Sequence, residues 1–167
     1  MDYIYEYYEE TVKPTVEDFL RDKTNLRKGR LAAIVLDHMR DYRIIQQAIK
    51  NTEILLNEIK SDCFDLVLIR DVCNASKHCI LTSNSKTNPK IKTPRSLTKS
   101  SDIKSERNVG IFGAPFRTPE ALFGEANRAY MKFDEAIMFN NELITYRFLH
   151  EAVVEVMKYW DKTLYPK

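Results

Sequence analysis

The most regular pattern of apolar positions lies in the first third of the chain and predicts one long helix. The pattern recurs every three or four residues, and its members are Leu31, Ile34, Val35, His38, Tyr42, Ile45 and Ile49. This period predicts a helix from about residue 24 or 25 to residue 50 that turns this stripe toward the core. Thr24 or Asn25 is the expected N-cap, because a short side-chain oxygen accepts a free backbone N–H there. Gly29 inside the helix indicates that another element approaches closely.

Less regular patterns predict further helices on both sides of the long one. They cover residues 3–12, a short segment from Pro14 to about residue 21, residues 52–59, a segment from Ser61 or Asp62 to residue 77, residues 118–127, and residues 147–164. The two predicted helices that end at residues 77 and 164 have broad apolar faces. We therefore expect both to pack with the long helix and bury its stripe.

Short β-branched and apolar runs replace the helical pattern after residue 78. The strand candidates are residues 79–82, 109–112, 130–133, 136–139 and 143–145. Asn140 and Asn141 separate the last two and predict a two-residue hairpin turn, since asparagine tolerates positive φ. Residues 83–108 are rich in Ser, Thr, Lys and Asn and predict a flexible basic loop. The whole pattern predicts one mainly α domain over residues 1–167, a helical bundle with a small β-hairpin insertion before the C-terminal helix.

Composition and charge narrow the class of protein. Hydrophobic residues make up 44% of the 167, which suffices for one core, and four glycines argue against a glycine-rich phosphate loop. The chain has no run of eighteen apolar residues and no basic and apolar leader, so we expect a cytoplasmic protein without a membrane contact. Three cysteines without a C-x-x-C pair predict free thiols rather than a disulfide framework. No cofactor is predicted.

One constellation of polar residues carries a chemical hypothesis. Arg70, Asn74, Lys77 and His78 fall on one face of the predicted helix at 100° per residue. Arginine and lysine stabilise an anionic, phosphate-like ligand, asparagine orients it, and histidine transfers a proton near neutral pH. The net charge is only +2, and the positive excess lies in residues 82–108, which contain seven Lys or Arg against two Asp or Glu. Such a segment attracts phosphate backbones weakly.

The segment Asn74-Ala-Ser-Lys-His78 near a helix end resembles the motif of HEPN domains, in which four to six residues separate an arginine from a histidine and a polar residue often follows the arginine. In this chain seven residues separate Arg70 from His78. Arg70 stands one turn earlier, and Cys73 occupies the place of an adjacent arginine. A wider set of segments, from Asn25-Leu-Arg to Tyr159-Trp160-Asp161, resembles uncharacterised bacterial bundle proteins. The HEPN resemblance implies a metal-independent RNA-binding or RNA-cleaving protein of a bacterial toxin or defence type, whose dimer pairs two motifs. For such a protein we predict Arg70, Asn74 and His78 as the catalytic residues, and Lys77, His38 and Asp41 as substrate-binding residues.

Two other classes of protein fit the same residues. In a non-enzymatic bundle that binds a cognate protein, the polar face from Arg70 to His78 is structural and His78 stabilises the helix end. His38 is then a mostly buried core histidine that is hydrogen-bonded to Asp41 or to the helix of Arg70. In a small-molecule or metal-binding bundle, His38, Asp41 and His78 form an open site for a divalent ion.

Overall fold

The computed structural model describes residues 3–81, 95–105 and 128–166. A continuous helical segment comes first and consists of α1 (Tyr3–Tyr7), a π-helical stretch (Tyr8–Val12) and α2 (Lys13–Arg21). The further helices are α3 (Leu26–Gln47), α4 (Thr52–Ile59), α5 (Asp65–Lys77) and α6 (Leu149–Leu164). A 3-10 turn (Ser100–Asp102) leads into β1 (Ile103–Ser105), and β2 (Ala129–Phe139) and β3 (Glu142–Phe148) precede α6. The described part is mainly α, as predicted, with a three-stranded antiparallel sheet in the order β1-β2-β3.

The core lies where α3, α5 and α6 meet. α3 contacts both other helices, α5 contacts α6, and β2 and β3 contact α6. The largest fully buried side chains include Tyr8, Phe19, Leu36, Met39, Leu66, Ile69 and Trp160. The predicted packing of the C-terminal helix and the helix of Leu66 with the long helix is therefore confirmed.

The buried face of α3 differs from the predicted apolar stripe. Ile45 is 77% exposed and Leu31 is 43% exposed, whereas the buried positions are Gly29, Ala32, Ala33, Leu36, Asp37, Met39 and Arg40. The small residues in this buried row let neighbouring helix backbones approach α3 closely, and the larger apolar residues flank the contact. Asn25 is the N-cap, as predicted, and its side chain accepts the Lys28 N–H at 3.2 Å.

Gly29 marks a close contact, as the sequence indicated. A Cβ at this position would lie 2.7 Å from Leu149 Cδ2 and 3.0 Å from Phe19 Cε2. Both neighbouring side chains are fully buried, so neither can move aside freely.

We expect Gly29→Ala to lower the free energy of unfolding. Overpacking costs about 1–3 kcal/mol, and it outweighs the gain of up to about 1 kcal/mol in helix propensity. Urea denaturation measures the change. The control is Arg27→Ala, which removes an exposed side chain from the same turn of α3 and should leave the midpoint unchanged. A higher midpoint for Gly29→Ala would show that Leu149 and Phe19 leave more space beside Gly29 than these distances indicate.

The predicted hairpin is present. Asn140 and Asn141 have φ values of 48° and 67°, and they connect β2 to β3. The two predicted strands over residues 130–139 are one strand, because the register shifts between Lys132 and Ile137 without ending β2. α6 begins at Leu149 rather than at Arg147, since Arg147 still pairs with Met131 of β2.

Two other predictions, a strand after α5 and the first residue of α5, are wrong. Of the strand predicted at 79–82, the described residues 79–81 form no strand, because Ile80 makes only an isolated bridge with Lys99. α5 begins at Asp65 rather than at residue 61 or 62, because the N–H groups of Asp62 and Cys63 still bond to Ile59 of α4.

Part of the predicted basic loop contributes to the core. Leu97 and Ile103 are buried, and Asp102 accepts hydrogen bonds from the backbone N–H groups of Thr98 and Lys99. The rest of the loop, the strand predicted at 109–112 and the helix predicted at 118–127 lie outside the described residues. Of the helices in the described ranges, none has the length and apolar character needed to cross a membrane.

Candidate functional site

The end of α5 brings Asn74, Lys77 and His78 to the surface. Asn74 is half-buried, and Lys77 and His78 are exposed. His78 has an extended backbone (φ −127°, ψ 128°), and its N–H donates to the Asn74 carbonyl at 2.9 Å. Because this backbone bond closes the helix, the His78 imidazole has no part in it and faces solvent.

Lys77 reaches across to α3. Its Nζ lies 3.3 Å from His38 Nε2, which pairs a cation with a ring nitrogen instead of a carboxylate. When the ammonium donates, Nε2 accepts and the proton of the neutral ring is on Nδ1. Lys77 also interacts with the Cys73 thiol. None of the salt bridges among residues 3–81, 95–105 and 128–166 involves Lys77, and its side chain is exposed, so an anion from solution can reach this charge.

The structure corrects the expected setting of His38. Its side chain is half-buried rather than mostly buried, because it lies at the outer edge of the contact between α3 and α5. The expected partner on the helix of Arg70 is present and is Lys77. Asp41, the other expected partner, is exposed.

Arg70 does not lie on this open face. Its side chain is 3% exposed, and its Nη2 and Nε lie 2.7 and 2.9 Å from Asp71 Oδ1. Glu53 Oε2 of α4 lies 3.6 Å from Arg70 Nη1. The shared face predicted for Arg70 and His78 is thus corrected: the core of the molecule encloses Arg70, and of the predicted residues only Asn74, Lys77 and His78 reach solvent.

Asp71, the partner of Arg70, also hydrogen-bonds the segment of residues 95–105. It is fully buried, and its Oδ2 accepts the Ser96 backbone N–H at 2.6 Å. Burial raises the pKa of the Asp71 carboxyl, and the Arg70 guanidinium and the Ser96 N–H oppose that rise. Arg70 and Asp71 therefore connect α5 to residues 95–105 inside the protein.

A second buried ion pair lies on α3. Arg40 Nε donates to Asp37 Oδ1 at 2.9 Å, and Arg40 Nη1 donates to the Thr52 carbonyl at 3.2 Å. Both side chains are at least nine-tenths buried. The sequence signal was present, because Asp37 and Arg40 follow Ala33 and Leu36 at four-residue spacing. The larger apolar residues on another face of the helix form the more regular pattern.

Buried groups behind Lys77 are held in their neutral forms. Burial, reinforced by the Asp37 carboxylate, raises the pKa of the Cys73 thiol to about 12. Burial, reinforced by Tyr42 and Asp41, raises the pKa of the Tyr7 hydroxyl to about 12. The Tyr7 and Tyr42 rings stack with centroids 4.3 Å apart. Cys73 is thus unsuited to act as a nucleophile at neutral pH.

The end of α5 can bind an anion and move a proton. Lys77 offers the positive charge, Asn74 offers an amide, and His78 offers an imidazole. We name Asn74, Lys77, His78 and His38 the α5 end face. In the part of the chain that the structure describes, no group of three or more His, Cys, Asp or Glu residues is placed to hold a metal ion. The groups that this face presents are an ammonium, an amide and two imidazoles.

A polar groove of about 780 Å³ lies near the other end of α5. On its wall Arg147 makes two bonds to Asp65, at 3.1 and 3.2 Å, and one to Glu151 at 2.6 Å. Burial raises the pKa of Asp65, and Arg147 opposes the rise. These mutual bonds hold the Arg147 charge in place between α5 and α6.

Comparison of this chain with protein-family models, with curated proteins and with solved structures yields no significant match.

Proposed function

We propose that this chain is a HEPN-like helical bundle that binds RNA at the α5 end face and cleaves it without a metal ion. The observation that carries the proposal is the pairing of an exposed Lys77 ammonium with the His38 imidazole, one residue before an exposed His78. A phosphate needs a charge partner, and cleavage of RNA needs a proton acceptor near the ribose 2′-hydroxyl. The α5 end face supplies both groups within one helical turn.

The proposed roles follow from the positions of the side chains. Lys77 stabilises the negative charge that develops on the phosphate, and His38 positions the Lys77 ammonium. His78 accepts the proton of the 2′-hydroxyl, whose oxygen then attacks the phosphorus. The bond to the 5′-oxygen breaks, that oxygen takes up a proton, and a cyclic phosphate remains. Asn74 orients the phosphate or the imidazole.

Arg70 has a structural role in this proposal. Its guanidinium is held by Asp71 and lies next to Glu53, so Lys77 takes the charge-stabilising role that the sequence pattern gave to Arg70. In the proposed enzyme, the α5 end faces of two copies meet, and one His78 acts as base while the other protonates the leaving oxygen.

Binding tests the first half of the proposal. We expect Lys77→Ala to weaken binding of a single-stranded 2′-O-methyl RNA, which cannot be cleaved. The slope of log K against log salt should fall in magnitude by about 0.7, the value for one lost phosphate contact on a single strand. Fluorescence anisotropy at several salt concentrations measures both quantities.

The matched control is Lys162→Ala, which removes an exposed lysine from α6. This variant should bind the RNA with the affinity and the salt slope of the unmodified protein. Equal losses in both variants would show a diffuse attraction to positive charge, and the α5 end face would not be the binding site.

A further inference from the structure

The three-stranded sheet has one buried face and one face that points away from the core. Ile103 of β1 and Met131 and Phe133 of β2 are at most 3% exposed. Side chains alternate across a strand, so the residues between these positions lie on the opposite face. Lys104 of β1 and Lys132 of β2 are among them, and both are exposed. Two cations therefore project from the side of the sheet that does not pack on the helices.

Aromatic side chains lie directly opposite these two lysines. Lys104 is the register partner of Tyr130, and Lys132 is the register partner of Tyr146. Phe148 is the β3 partner of Tyr130 and shares its face. We name Lys104, Tyr130, Lys132, Tyr146 and Phe148 the outer sheet face. This face pairs a cation with an aromatic ring at two successive positions.

The rings of the outer sheet face hold one another in place. Tyr146 packs edge-on against Tyr130, with centroids 6.5 Å apart, and edge-on against Phe148, with centroids 5.5 Å apart. Tyr130 is 9% exposed, whereas Tyr146 and Phe148 are half-buried, so solvent reaches part of these two side chains. A ring that is already fixed loses little entropy when a planar group stacks on it.

The two lysine charges are available to a ligand. None of the salt bridges within the described ranges involves Lys104 or Lys132. The first carboxylate after Lys132 on β2 is Asp134, and the Thr98 hydroxyl donates to it at 2.9 Å. Diagonal neighbours on adjacent strands lie about 7–8 Å apart, so both ammonium groups can contact one short anionic segment.

Single-stranded RNA matches this combination of groups. Each of its nucleotides joins a phosphate to a planar base, and bases stack on aromatic side chains while lysines contact the phosphates. A second copy of the chain would bring lysines against lysines, which opposes association. An acidic peptide would supply the charge but no base for the ring of Tyr146.

The outer sheet face belongs to a part of the chain that is joined to the α5 end face. The Leu81 N–H donates to the Thr98 carbonyl at 2.7 Å, and the Ser100 N–H donates to the Cys79 carbonyl at 2.9 Å. The residues that follow His78 are therefore bonded to the segment that leads into β1.

We infer that the outer sheet face is a second contact for the RNA, in which a base stacks on Tyr146 and the neighbouring phosphates bind Lys104 and Lys132. The inference rests on the proposed function, because the strand bound here is the one that the α5 end face holds. It adds a binding region whose residues take no part in the cleavage step.

Binding of a single-stranded 2′-O-methyl RNA to the full chain tests the inference without cleavage. We expect Tyr146→Leu to weaken binding about tenfold, which is within the range for the loss of one base–aromatic stack. Tyr146→Phe keeps the ring and should keep the affinity. Lys132→Gln should weaken binding and lower the magnitude of the salt slope by about 0.7. Fluorescence anisotropy at several salt concentrations measures these effects.

Matched controls separate this face from general attraction to RNA. Tyr3→Leu removes a 62% exposed tyrosine from α1, and Lys162→Gln removes an exposed lysine charge from α6. Both variants should bind the RNA like the unmodified chain, and losses equal to those of Tyr146→Leu and Lys132→Gln would overturn the inference. A labelled polyglutamate peptide that binds as tightly as the RNA and is weakened equally by Lys132→Gln would assign the face to an acidic protein and also overturn it.

The inference and the proposed function fail in different ways. If Lys77→Ala weakens RNA binding but Lys132→Gln and Tyr146→Leu do not, the inference is wrong and the proposed function stands. If the outer sheet face variants weaken binding but the unmodified chain cuts no RNA, the cleavage proposal is wrong and the second contact stands. Lys132 is exposed, so Lys132→Gln decides the outcome even where Tyr146→Leu destabilises the sheet.

Discussion

Replacing Arg70 by methionine is expected to lower the free energy of unfolding by about 3–5 kcal/mol, the usual cost of removing one partner of a buried ion pair. Methionine keeps most of the side-chain volume and removes the charge. Asp71, which is fully buried, then loses the guanidinium that lies 2.7 Å from its Oδ1. Burial of an unpaired carboxylate is the physical cause of the loss. Chemical denaturation followed by circular dichroism measures it.

A double variant identifies that cause. Arg70→Met with Asp71→Asn removes both charges, and the asparagine carbonyl can still accept the Ser96 N–H that Asp71 accepts at 2.6 Å. We expect this variant to regain most of the lost stability, since removal of both partners of a buried pair is often close to neutral. Arg21→Ala, which removes exposed ion pairs with Glu17 and Asp18, should change stability by less than about 1 kcal/mol. Equal stability of Arg70→Met and the unmodified chain would contradict the structural role of the Arg70–Asp71 pair.

Replacing His78 by alanine is expected to lower the rate of RNA cleavage about 100-fold or more while the fold remains intact. The rate falls because the 2′-hydroxyl loses its proton acceptor, and general acid–base catalysis contributes at least that factor. The fold survives because the His78 side chain is exposed and the helix end is held by its backbone N–H. Initial rates on a labelled single-stranded RNA and a denaturation midpoint give the two quantities.

The control for His78→Ala is the neighbouring Cys79→Ser. Cys79 is also exposed and lies outside α5, so its substitution should alter neither the rate nor the midpoint. Equal rates for His78→Ala and the unmodified chain would remove His78 from the mechanism.

Helix N-caps and tight turns depend on neighbouring residues, so the sequence alone could predict several of them. Asn25, Asn51 and the pair of asparagines at residues 140 and 141 act through their own backbone neighbourhood, so the starts of α3 and α4 and the hairpin turn could be predicted. The α5 end face was predicted in part for the same reason, since Asn74, Lys77 and His78 belong to one helical turn and its cap.

Tertiary contacts decided the features that the sequence did not reveal. Leu31 and Ile45 share a helical period with half-buried residues, but the neighbours of α3 lie on the side of Ala32 and Ala33. Arg70 falls on the same angular face as Lys77, yet α4 and residues 95–105 cover its turn of α5. A helical wheel gives directions around an axis and contains no information about which turns are covered.

The most direct test of the central claim is cleavage of single-stranded RNA by the purified chain in excess EDTA, followed by analysis of the product ends. The account predicts fragments that end in a cyclic phosphate or a 3′-phosphate, and no cleavage of the matching DNA, which lacks the attacking 2′-hydroxyl. His78→Ala should cut the RNA about 100-fold more slowly, or not at all, under the same conditions. If the RNA stays uncut and unbound with the unmodified chain, or if His78→Ala cuts it at the unmodified rate, the proposed function of the α5 end face is wrong.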